Sequence, residues 1–116
     1  MNKIEHLLAC LVEECAEVQQ EAGKALRFGL NDKWKDKPTP AEGIAYEFCD
    51  LFAVYELLQA EGVIPKLDMS LLMQRKKERV HKYMEYAKAK GSLEQNLNKG
   101  ESDDEKKIER KNLQGL

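Results

Sequence analysis

From Ile4 onward, apolar residues recur at alternating spacings of four and three: Ile4, Leu8, Leu11, Cys15, Val18, Ala22 and Ala25. That is the period a helix needs to bury one face, so the spacing predicts a first helix from about Lys3 to Phe28 with a single seam. Asn2, with Glu5 three residues on, makes a capping box at its start, and Gly29 supplies its stop. From Leu30 to Lys37 the pattern breaks into Asn31, Asp32 and lysines around the only tryptophan, Trp34, which predicts a loop. Thr39, Pro40 and Glu42 then form a strong helix start, with Thr39 as cap, Pro40 in the first turn and Glu42 closing the box. This second helix is expected to run to about Ala60, before Gly62. Within it Ile44, Phe48, Leu51, Phe52, Val54, Tyr55, Leu57 and Leu58 cover most of the circumference, as in a helix central to a bundle or an oligomer. A third helix, capped by Asp68 or Ser70, is expected to reach about Lys90 and stop at Gly91. Its apolar stripe reads Met69, Met73, Lys76, Val80, Tyr83 and Ala87.

The expected fold is all-α: an antiparallel bundle of three main helices per chain, with room for a short fourth near Ile108 and Leu113. Oligomerisation into a homodimer or homotetramer is expected to complete it, because three helices leave part of the second one uncovered. A chain of 116 residues suits one domain. Residues 1–91 are expected to form it, and 92–116, polar and rich in charge, a loosely packed or helical extension.

Composition adds little against this picture. Hydrophobic residues make up 42% and charged residues 34%, with three prolines, as in a soluble helical protein. No apolar run is long enough to span a bilayer, and Met1 to Glu5 carries no export-type leader, so no membrane partner and a cytoplasmic location are expected. Cys10, Cys15 and Cys49 lack CxxC spacing and are expected to be small buried apolar residues. The net charge of -2 is unevenly spread: residues 1–60 carry 11 acids against 6 bases, and residues 61–116 carry 10 against 13. An acidic half with a basic half suits a cation beside a phosphate-bearing ligand, and equally suits mutual attraction between helices.

The chemistry is expected where carboxylates recur at i,i+3. Glu14 with Glu17, and Glu47 with Asp50, each project from one face of a helix, and two such faces can surround one or two divalent cations with oxygen ligands. Glu14 falls about 60° from the line through Leu11, with Glu17 and Glu21 on the same flank, whereas Glu13 lies about 160° away, toward solvent. Glu47 and Asp50 sit inside an apolar stretch, where an unpaired buried carboxylate costs on the order of several kcal/mol. They need a partner: a cation shared with the first pair, lysines, or a wet edge. On the third helix Lys76 occupies the centre of the apolar stripe, either snorkelling out or reaching an anionic ligand, with Arg79 on its flank. Glu78 and His81 have the Glu-x-x-His spacing of di-iron bundles. They fall on the outer side of that helix, and only one such motif is present where those sites use two. His6 also falls on a solvent side.

Glu13-Glu14-Cys15-Ala16-Glu17 followed by Glu47-Phe48-Cys49-Asp50 resembles the EExxE then ExxD signature of the all-alpha nucleoside triphosphate pyrophosphohydrolases, the MazG-like superfamily. The resemblance extends through about residues 5–90 and includes the order of elements, with a longer segment between Glu17 and Glu47. It implies magnesium-dependent hydrolysis of a nucleoside triphosphate between the alpha and beta phosphates, with manganese as a substitute ion. It also implies that Glu14, Glu17, Glu47 and Asp50 are metal ligands and catalytic groups, with Lys76 and Arg79 holding the triphosphate. Trp34 could stack on the base, close over the site or pack on the bundle. Two other classes remain open: a catalytically silent nucleotide- or metal-binding module, and a helical protein whose basic third helix binds nucleic acid. The last is disfavoured by the net charge and by the lack of aromatics interleaved through the basic stretch.

Overall fold

The computed structural model describes residues 1–95. Three helices make up its regular structure: α1 (Lys3–Phe28), α2 (Pro40–Ala60) and α3 (Met69–Lys90), with no strand among the described residues. All three start and stop where local chemistry directs. Asn2 accepts from the Glu5 backbone N–H while the Glu5 carboxylate accepts from Asn2, and Thr39 and Glu42 repeat this reciprocal box at α2. Asp68 caps α3, and Gly91 closes it in the left-handed conformation at φ 79°. The expected short fourth helix and the charge run after Glu101 lie outside the described residues.

The chain divides into two compact units, Met1–Leu67 and a second beginning at Asp68. In the first, α1 and α2 pack on each other along their length. Lys3 at the start of α1 pairs with Glu61 at the end of α2, and Glu21 late in α1 meets Gly43 early in α2, so the helices are antiparallel. The side of α2 turned to α1 runs through Pro40, Gly43, Glu47, Leu51, Val54 and Leu58, all buried or half-buried. Leu58 is fully buried and contributes about 2 kcal/mol by that burial.

Two expectations change here. On α1 Ile4, Leu11, Val18 and Ala25 of the expected seam are half-buried, together with Leu7, Cys10, Glu14, Glu17, Glu21 and Lys24, while Leu8, Cys15 and Ala22 of that seam are exposed. The helix is rotated toward its acidic flank, because α2 approaches along the line of Glu14 and Glu21 and not along that of Leu8 and Cys15. The expected burial of the cysteines therefore fails. Cys15 points about 100° away from Glu14, and Cys49 about 200° round α2 from Glu47, leaving both exposed and Cys10 alone half-buried. The apolar circumference of α2 is real, and within the first unit its outer side is left uncovered: Phe48 and Phe52 are 46% and 44% exposed.

In the second unit, Met69, Met73, Val80 and Tyr83 of the α3 stripe are exposed and Ala87 is half-buried. No helix among the described residues is long and apolar enough to cross a membrane.

Candidate metal centre

Glu14 and Glu17 stand one turn apart on α1, and Glu47 and Asp50 one turn apart on α2. Antiparallel packing brings the two pairs to the same level. One carboxylate oxygen from each of the four lies within 4.8 Å of the others. Glu14, Glu17 and Glu47 are half-buried and Asp50 is exposed, so the group opens to solvent on the Asp50 side. Glu17 acts on both Glu14 and Glu47, raising the pKa of each.

Crowding this many carboxylates has an electrostatic consequence. Glu47 is pushed up to about 7, first by sharing a proton-bearing contact with Glu17, then by desolvation and by the charges of Glu17, Asp50 and Glu14. Glu14 is also raised, chiefly by desolvation, then by the charges of Glu17 and Asp50. Oε2 of Glu14 and Oε2 of Glu47 are shielded from solvent and accept no hydrogen bond. Shielded acceptors without donors are costly to leave so. An all-oxygen donor set of four carboxylates suits a hard divalent cation, which would answer both the repulsion and the two unpartnered oxygens.

One turn from this group, the Glu21 carboxyl occupies the space above Gly43. A Cβ at Gly43 would meet Glu21 Oε2 and would stand 2.7 Å from its Cδ. Glu21 Oε1 in turn accepts a hydrogen bond from the Lys24 ammonium at 3.1 Å. The sequence signal for this arrangement is modest: Glu17, Glu21 and Lys24 at i, i+4 and i+7 on one strip, and a lone glycine inside the first turns of a well-capped helix.

The remaining expected residues are placed elsewhere. Trp34 is in the α1–α2 loop, 64% exposed, with the Lys35 ammonium 5.2 Å from its ring centroid. Lys35 adopts φ 53°, a left-handed conformation costly for lysine, in the turn closed by the Lys37 N–H donating to Trp34 O at 3.1 Å. Lys76 and Arg79 are on α3 of the second unit and exposed there, as are Glu78 and His81. Among the described residues, Glu78 and His81 belong to no converging group of three or more possible metal ligands. No family model, curated protein or solved structure matches the chain.

Proposed function

We propose that the chain is a magnesium-dependent nucleoside triphosphate pyrophosphohydrolase. It would cleave between the alpha and beta phosphates and release a nucleoside monophosphate and pyrophosphate. The observation that carries this reading is the convergence of Glu14, Glu17, Glu47 and Asp50 to within 4.8 Å, with two shielded oxygens lacking any donor. The motif resemblance to the MazG-like superfamily rests on those same residues.

In this reading Glu14, Glu17, Glu47 and Asp50 would hold the ion, with Glu14 and Glu47 supplying their unpartnered oxygens. Magnesium or manganese held there would lower the pKa of a water and offset phosphate charge. A carboxylate of the group stands ready to accept the proton that this water gives up. The resemblance implies a triphosphate-holding role for Lys76 and Arg79, and leaves Trp34 to stack on the base, close over the site or pack on the bundle. The exposed apolar side of α2 supports a homodimer or homotetramer, and a cytoplasmic setting belongs to the same reading, since the substrate is found there.

The test is pyrophosphate release from a panel of nucleoside triphosphates with magnesium, comparing the native chain with Glu47→Gln and Asp50→Asn. Turnover that needs the metal and is lost in both variants supports the hydrolase. Nucleotide binding without turnover on any substrate would replace it with a silent binding module.

A further inference from the structure

We draw no further inference here: the strongest candidate, the exposed patch at the α1–α2 turn where Leu26, Phe28, Leu30 and Trp34 lie among Arg27, Lys33, Lys35 and Lys37, is an apolar and basic surface of the first unit, and nothing in the structure shows what covers it.

Discussion

The carboxyl of Glu17 on α1 meets the carboxyl of Glu47 on α2, and that contact is the leading reason Glu47 holds its proton up to about 7. Two acids facing each other across a helix pair oppose the packing that brings them together. The fold accepts this at one level, between layers closed by Leu58 and Val54 on one side and by Gly43 and Pro40 on the other. Such local conflict is expected where a site and not a core dictates the residues.

Glu47→Gln should therefore separate stability from function. Without metal, the variant removes one member of the crowded group and should melt at a higher temperature than the native chain at pH 7. Its Mn2+ affinity should fall, and metal-dependent turnover should drop by on the order of a hundredfold or more. Thermal melts and Mn2+ titrations on the same preparations check both halves, and a variant that melts lower would contradict the repulsion argument.

The pH dependence of the metal-free chain follows from the same two acids. Glu47 is raised from the ordinary 4.5 to about 7 and Glu14 is raised in the same direction, so between about 4.5 and 7 the folded chain keeps a proton on Glu47 that the unfolded chain has released. The Glu47 contribution to stability is fully present below that window and is lost as pH rises through it. Melting temperature without metal should decline from pH 5 to pH 7.5, the decline should shrink in Glu47→Gln, and saturating Mn2+ should reverse it by binding only the folded state.

Phe48 and Phe52 sit side by side on the uncovered side of α2, their ring centroids 6.3 Å apart, with Tyr55 edge-on to Phe52 at 6.4 Å. If a second copy covers this side, sedimentation at micromolar concentration should show a dimer or larger species, and Phe52→Asp should shift it toward monomer. A native chain that sediments only as monomer would remove the proposed oligomer.

Thr39→Ala should cost about 1 kcal/mol through loss of the α2 cap. The Thr39 hydroxyl and backbone N–H both donate to Glu42, whose pKa is lowered first by the backbone bond. Glu42 thus contributes stability above its unfolded pKa that is lost as pH falls through the folded one. Denaturant titrations of native and Thr39→Ala chains at pH 7 and pH 3.5 should show the difference narrowing in acid.

The helices and their ends were legible in the sequence because each is decided within a few residues. The Asn2–Glu5 and Thr39–Glu42 boxes, Pro40, and the glycines at 29 and 91 act locally, and the observed spans agree with those the spacing predicts. The four carboxylates were legible because i,i+3 spacing ties each pair to one face of a helix. The rotation of α1 was not legible. Its apolar seam is wide enough to allow approach along Leu8 and Cys15 or along Leu7 and Glu14, and only the arrival of α2 selects the second, exposing Cys15 and drawing Glu21 and Lys24 inward.

By itself, then, the sequence determined three capped helices and which acids pair within each, since both follow from backbone chemistry and helical period. The tertiary structure decided which acids meet across the pair, which of their oxygens are left without donors, and that a missing side chain at Gly43 makes room for Glu21. Those depend on the axial register and rotation of one helix against another, quantities that no local pattern encodes.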